Sequence, residues 1–280
     1  MLFVTPAAFL LLILTVWPSL QALYYSFTDW DGREATWVGW DNYVNALMTS
    51  PDLVRVLINN LLIVVSTPFA VAFALVVAYL LSLGPWGARV FRAAFFIPVT
   101  LSWVVIGLAW GYLLSYRGAA NDLLKAIGLG SLAQDWLGQP STSLAMIIMV
   151  FTWGYFGMNV LLLYTGMMSI DKSVLEAARL DGVTGVAMIR YVVLPHVRRY
   201  VELSLILTIS AAITQIFGLI FTMTSGGPGV SSTTLEYALY ISSFKMGQFG
   251  QGAALGMILF LASLVLTFLR IRSGVRGDDD

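Results

Sequence analysis

The sequence predicts an all-α membrane protein with six transmembrane helices, and three observations carry that prediction. Only 11% of the 280 residues are charged while 59% are apolar, far from the roughly 25% charged content of a soluble domain. The charges are also segregated, leaving six stretches with no Asp, Glu, Lys or Arg: Met1–Thr28, Val56–Ala88, Ala93–Tyr116, Trp136–Ile170, Leu203–Leu235 and Met246–Leu269. Each is long enough to cross a bilayer core of about 30 Å, which takes about 20 mostly apolar helical residues.

The first span is expected at about residues 5–26. Its run has no basic start, exceeds the apolar core of a signal peptide and shows no small-x-small cleavage site before Tyr24-Tyr25-Ser26-Phe27. It therefore reads as a retained helix, and the lack of polar residues ahead of it suggests a short missing tail. The connection Phe27–Arg55 sets Trp30, Trp37, Trp40 and Tyr43 among Asp29, Asp31, Asp41 and Asp52. Aromatic residues at a span end are ordinarily interface anchors. Trp37 and Trp40 lie beyond that end, and suit either a small packed cap or a surface for an external partner.

The second and third spans are expected at about 57–83 and 93–115. Between them and the fourth span, at about 141–165, the glycine-containing segment Arg117–Pro140 with Asp135-Trp136-Leu137 reads as a short re-entrant or surface turn. A charged loop at about 166–200 follows, then a fifth span at about 201–223 and a sixth at about 250–270. Ser225-Gly226-Gly227-Pro228-Gly229 is a loop by composition. It lacks the Lys-Ser/Thr that a phosphate cradle requires. The whole chain, 1–280, reads as one transmembrane domain.

Lys and Arg accumulate in short cytoplasmic loops. With the N-terminus inside, Arg89, Arg92, Lys172, Arg179, Arg190, Arg198, Arg199, Arg270, Arg272 and Arg276 are cytosolic, against Arg33, Arg55, Arg117, Lys125 and Lys245 outside. That bias predicts both termini in the cytoplasm. The absence of cysteine removes thiolate chemistry, disulfides and Cys metal sites. The single histidine, His196, sits in the charged loop, so no nucleophile–base pair is available at membrane depth. No catalytic residue and no metal site is expected.

The charged loop contains Glu176-Ala177-Ala178-Arg179-Leu180-Asp181-Gly182 and, further on, Leu194-Pro195. Ser173-Val174-Leu175-Glu176 has the Ser-x-x-Glu form of a capping box. The helix it starts is expected to run about two turns and stop near Gly182, which can adopt a left-handed conformation. A second short helix is expected from about Thr184, ending before Pro195. So short a helix is marginal in water, yet it shows Val174, Leu175, Ala178 and Leu180 to its surroundings. The residues alone leave two readings open: docking into a groove on a partner, or resting as a linker on the membrane surface.

Glu-Ala-Ala-x-x-Asp-Gly followed by Leu-Pro thirteen positions after the Asp resembles the EAA loop of permease subunits of bacterial binding-protein-dependent ABC importers. The resemblance covers nearly the whole chain. Trp17-Pro18, Tyr25-Ser26-Phe27-Thr28-Asp29-Trp30 and Val38-Gly39-Trp40-Asp41-Asn42-Tyr43 resemble the opening of the maltose-type sugar permeases, specifically the first of the pair. Phe91-Arg92-Ala93-Ala94-Phe95-Phe96-Ile97-Pro98, Trp153-Gly154 and Thr224-x-Gly226-Gly227-Pro228 are similar to further segments of that family. Val192 stands where the family often has Ile, and Arg198-Arg199-Tyr200 where it commonly has another proline.

The resemblance implies a type I ABC importer permease fold in the bacterial inner membrane with a cytosolic coupling helix. Glu176, Ala177, Ala178, Asp181, Gly182, Leu194 and Pro195 would form the loop gripped by a separate ATPase. The chain has no Gly-x-x-x-x-Gly-Lys-Ser/Thr, so it is no enzyme itself, and ATP with Mg²⁺ would be bound by that partner. The implied assembly adds a second homologous permease, two copies of the ATP-binding subunit and an extracytoplasmic solute-binding protein, surrounded by membrane lipid. No nucleic acid is expected.

Polar residues within spans are costly and usually face a bundle interior or cavity. Ser204, Thr208, Ala211 and Gln215 recur at helical spacing on one face. By the resemblance, Thr208 with Ala211 and Ala212, Tyr155 and Met158, and Trp103 fall where a sugar would be contacted. Helix–helix packing is the competing reading of these residues. No formal charge lies in any span, which favours an uncharged, hydroxyl-rich cargo. A glycerol-phosphate or polyol importer of the same family is the alternative. An ATP-independent secondary carrier would ordinarily show mid-membrane ionisable groups and repeated halves, neither of which is evident here.

Overall fold

The computed structural model describes residues 5–49, 51–84 and 87–275. Arg276, counted above in the charge bias, and the first four residues lie outside them. The chain forms α1 (Thr5–Tyr25), a hairpin of β1 (Thr28–Trp30) and β2 (Ala35–Trp37), α2 (Asp41–Val44), α3 (Pro51–Ser82), α4 (Ala88–Phe96), α5 (Trp103–Leu113), α6 (Ala119–Ala126), α7 (Ser143–Met168), α8 (Lys172–Leu180), α9 (Gly185–Thr214), α10 (Phe217–Met223), α11 (Leu235–Tyr240) and α12 (Phe249–Val275). Backbone contacts divide it into two compact units, residues 1–60 with 229–280, and residues 61–228.

In the first unit the hairpin is antiparallel, with Thr28 opposite Trp37 and Trp30 opposite Ala35. Phe27 organises the aromatics around it: Trp37 stacks at 5.6 Å, Trp40 meets it edge-on at 5.0 Å and Tyr43 lies at 5.4 Å. Both Trp37 and Trp40 nevertheless remain largely exposed. Asn42 locks the turn by donating from Nδ2 to the carbonyls of Ser26 and Thr28. Ala46, Leu53, Val56, Leu235 and Leu255 form a small core. Fully buried Asn59 donates to the carbonyls of Val230 and Thr233, satisfying backbone groups that an apolar surrounding would leave costly.

The core of the second unit packs Val71, Ala74, Leu75, Ala78 and Leu81 of α3 against Val160, Leu163 and Met167 of α7 and Met188, Val193 and Val197 of α9. Pro68 inside α3 has no N–H for the carbonyl of Val64. The Thr67 hydroxyl donates to that carbonyl instead, at 2.8 Å, so the helix continues through the proline.

Among the described residues, Thr5–Tyr25, Asp52–Ser82 and Ser143–Met168 are each long and apolar enough to cross a membrane. Two of the expected continuous spans are broken. Val90–Thr100 and Trp103–Leu113 meet at 104°, and Gly185–Thr214 and Phe217–Met223 at 51°. The first break follows a 3₁₀ turn containing Pro98, after which Ser102 takes extended backbone and accepts the Val105 N–H as a new N-cap. An apolar run conceals such a restart. The segment expected as a turn at 117–140 instead carries the helix α6.

Candidate functional site

The charged loop is built from its caps inward. The cap of α8 is Asp171, not the expected Ser173: its Oδ1 accepts from the backbone N–H and the hydroxyl of Ser173, each at 2.9 Å. The helix thus begins at Lys172, and Glu176 stands a full turn inside it, released from any capping duty. The bond from the Ser173 N–H, and secondarily that from its hydroxyl, holds the Asp171 carboxyl below the usual carboxylate value.

The end of α8 follows the expectation. Gly182 has φ +79°, its N–H donates to the Arg179 carbonyl, and the Val183 N–H donates to that of Ala178. This paired arrangement closes a helix at a left-handed glycine. Val174, Leu175, Ala178 and Val183 pack inward on the core. The opposite face presents Glu176, Ala177, Asp181 and Gly182 to solvent, with Leu180 90% and Val186 79% exposed. Of the four apolar residues expected to be shown outward, Val174, Leu175 and Ala178 instead turn onto the chain's own core and only Leu180 projects; Val186 was missed. Their signal is an apolar residue placed where the inward-facing set is already complete.

The expected stop at Leu194-Pro195 is not a stop. α9 runs on from Gly185 to Thr214 through a π-helical turn at Ile189–Val193. A proline ring ordinarily clashes with the carbonyl four residues back, here Tyr191, and the widened turn falls directly before it. His196 Nδ1 donates to the Val192 carbonyl at 2.6 Å, a local bond. No metal-binding cluster exists among the described residues. Leu194 and Pro195 are both exposed on the same loop.

A second site lies at the two helix breaks. A cavity of about 290 Å³ is lined by Pro98, Trp103, Tyr155, Met158, Ser210 and Gln215 among others. None of its lining residues is charged. The Trp103 ring stacks on Tyr155 at 5.7 Å and on Phe151 at 5.4 Å. Gly154 makes room for this stack, since a Cβ there would come within 2.6 Å of the indole. The Tyr155 hydroxyl donates to Gln215 Oε1 at 3.1 Å. The cavity therefore offers an aromatic wall, a phenol, an amide and the Ser210 hydroxyl, a set suited to a neutral polyhydroxylated solute.

Four of the expected pathway residues, Trp103, Tyr155, Met158 and Gln215, thus meet at one place. Thr208, Ala211 and Ala212 do not reach it. Each is at most 1% exposed, and the face they share with Ser204 turns toward α7. There Asn159 Oδ1 accepts from Ser204 Oγ at 2.7 Å and lies 3.0 Å from Thr208 Oγ1. A buried amide in an apolar span requires such partners, so these residues serve helix packing in this conformation. Asn159 itself was missed, although an Asn inside a charge-free run is the signal.

Residues 68–273 match the family of binding-protein-dependent transport system inner membrane components. The chain is 30% identical over 286 residues to the probable ABC transporter permease protein YurN of Bacillus subtilis, covering 100% of this chain and 97% of the relative. It is 29% identical over 258 residues to the multiple sugar-binding transport system permease protein MsmF of Streptococcus mutans, covering 91% and 88%. Its fold is similar to a chain of a bacterial ABC transporter involved in the import of the acidic polysaccharide alginate, with TM-score 0.80 at 20% identity over 97% of this chain and 93% of that one.

Proposed function

Since the chain belongs to the family of binding-protein-dependent transport system inner membrane components, we propose that its cargo is an uncharged mono-, di- or oligosaccharide. In this reading the cavity between Trp103 and Gln215 is where this ABC transporter permease touches that cargo. The observation that carries it is the make-up of the cavity. Trp103 and Tyr155 line it with stacked aromatic rings, Gln215 and Ser210 with hydrogen-bonding groups, and no charge lines it. Sugar C–H faces pack on aromatic rings, while hydroxyls pair with amides and phenols. A buried anion would instead need a cationic partner.

Both termini are cytoplasmic in this proposal, supported by the Lys and Arg bias, and Glu176–Gly182 faces the cytosol. A cytosolic ATPase, present in two copies with ATP and Mg²⁺ bound to it, grips α8 over Glu176, Ala177 and Leu180. A second homologous permease completes the path, and an extracytoplasmic solute-binding protein delivers the cargo. The inward face of α8 is anchored in the core through Val174, Leu175 and Ala178. A displacement of α8 is therefore passed to α7 and α9, whose Tyr155 and Gln215 border the cavity.

The test is uptake by the assembled transporter in proteoliposomes, with a panel of neutral sugars set against glycerol 3-phosphate. ATP-dependent uptake of at least one neutral sugar, uncompeted by glycerol 3-phosphate, is expected. Transport confined to the phosphorylated solute, or uptake without ATP, would overturn the proposal.

A further inference from the structure

The third span does not end at α5. Beyond Leu113 the chain turns within a few residues into α6, and Gly118 sits so close to the last turn of α5 that a Cβ there would lie 2.4 Å from the Leu113 carbonyl. Asn121, 1% exposed, then fixes α6. Its Nδ2 donates to the carbonyls of Tyr116 and Gln134, and its Oδ1 accepts from the Gln134 N–H and the Trp136 Nε1. The helix is held tightly, yet it leaves Leu123 63% and Ile127 60% exposed, with Leu129 and Leu132 open beside them in sequence. At 3.6 residues per turn, the mean direction of Leu123 and Ile127 lies about 150° round the helix from that of Asp122 and Lys125. Those two form an ion pair at 3.6 Å.

We infer that α6 is an interfacial helix, lying in the headgroup layer of the leaflet opposite the Glu176–Gly182 loop with Leu123 and Ile127 dipped toward the acyl chains. Lipid rather than a protein is favoured by continuity. Val105, Leu108 and Tyr112 form one exposed stripe along α5, and Tyr112 and Tyr116 carry exposure on to the start of α6. α5 is the 11-residue second half of a bent apolar pair, and an exposed apolar stripe on it suits acyl chains. Tyrosines at its end mark the depth of the headgroups, and α6 is pinned at that depth by Gly118. An amphipathic helix there presents aliphatic side chains inward and charges to water. The Asp122–Lys125 pair occupies the watery side. The inference concerns membrane contact and stands apart from the identity of the cargo.

The chain contains no cysteine, so single nitroxide labels can be placed at will. Leu123→Cys and Ile127→Cys probe the apolar face, and Asp122→Cys and Lys125→Cys the polar one. Leu132→Cys stands in for any apolar-face substitution that disrupts assembly. In the assembled transporter in bilayer nanodiscs, labels at 123 and 127 should collide with oxygen several-fold more often than with a water-soluble nickel chelate. The preference should invert at 122 and 125. Apolar-face labels that meet the chelate as freely as those at 122 would place α6 in water. Labels shielded from both reagents would show a protein covering the face. Either result overturns the inference.

Discussion

Tyr155 and Gln215, sixty residues apart in the chain, are joined across the cavity by a hydrogen bond of 3.1 Å. Tyr155 belongs to the middle of α7, and Gln215 is the residue at which α9 ends before α10 begins. The bond therefore ties a continuous span to the break in its neighbour. In the proposed function, a sugar that enters would either exchange this bond for its own hydroxyls or pass around it.

Tyr155→Phe keeps the ring stacked on Trp103 and removes only the hydroxyl. A lost hydrogen bond of this kind is worth about 1 kcal/mol, so the apparent KM for uptake should rise roughly fivefold with little change in thermal stability. Gln215→Ala should act in the same direction. Uptake assays on both variants and the double variant would measure the coupling. An unchanged KM in all three would separate the pair from solute recognition.

Gly154→Ala tests the aromatic wall from behind. The new methyl would sit 2.6 Å from the Trp103 ring, closer than packing permits, so the indole must move into the cavity. Such overpacking typically costs about 1–3 kcal/mol. A lowered melting temperature and a larger loss of uptake than in Tyr155→Phe are expected. Gly154→Ala combined with Trp103→Phe should recover stability and not the full rate.

Asp171→Ala removes the cap of α8 and should loosen its first turn, read as faster hydrogen exchange at Ser173–Glu176 and, in the proposed function, as weaker coupling of ATP hydrolysis to uptake. Asp171→Asn should retain most of the cap. The carboxyl is held below its ordinary value by the Ser173 bonds. Its stabilising effect is therefore fully present above the unfolded carboxylate pKa of about 3.9 and is lost as pH falls through the lower folded value. Exchange protection should accordingly be flat near neutrality and weaken only in acid, and not at all in the Asn variant.

How far the residues alone carried this picture differs from one feature to the next. Charge-free runs located the three described helices long enough to cross a membrane and both bent pairs, because each formal charge carries a large cost in a bilayer. They could not show the break at Ser102, since a capping serine and Pro98 are too weak a signal inside an apolar run. Helical spacing placed Thr208 and Ala211 on one stripe with Ser204, but spacing identifies a stripe without identifying its neighbour. Asn159 on α7 decides that this stripe is packing, while Gln215, at the break, escapes it. The Glu176–Gly182 motif was legible as a helix with a left-handed end. Its cap was misassigned because Asp171 and Ser173 are both competent capping residues, and only the backbone conformation chooses between them.

Leu180 offers the sharpest test of which face of α8 the proposed ATPase would meet. Val174, Leu175 and Ala178 are engaged with the core, whereas Leu180 projects beside Gly182 and is 90% exposed. An apolar side chain of that exposure contributes little to the fold, so Leu180→Asp should leave the melting temperature of the isolated permease unchanged. At an interface the same change would bury an unpaired charge, and truncations at energetically important contacts cost more than about 1 kcal/mol. Loss of the ATP-binding subunit on co-purification, and loss of ATP-driven uptake, are the expected results, with Leu180→Met close to native. Val186→Asp should behave alike if the docking surface continues past the turn. Normal retention of the ATPase by both charged variants would move the grip onto Glu176 and Ala177, one turn earlier on the same helix.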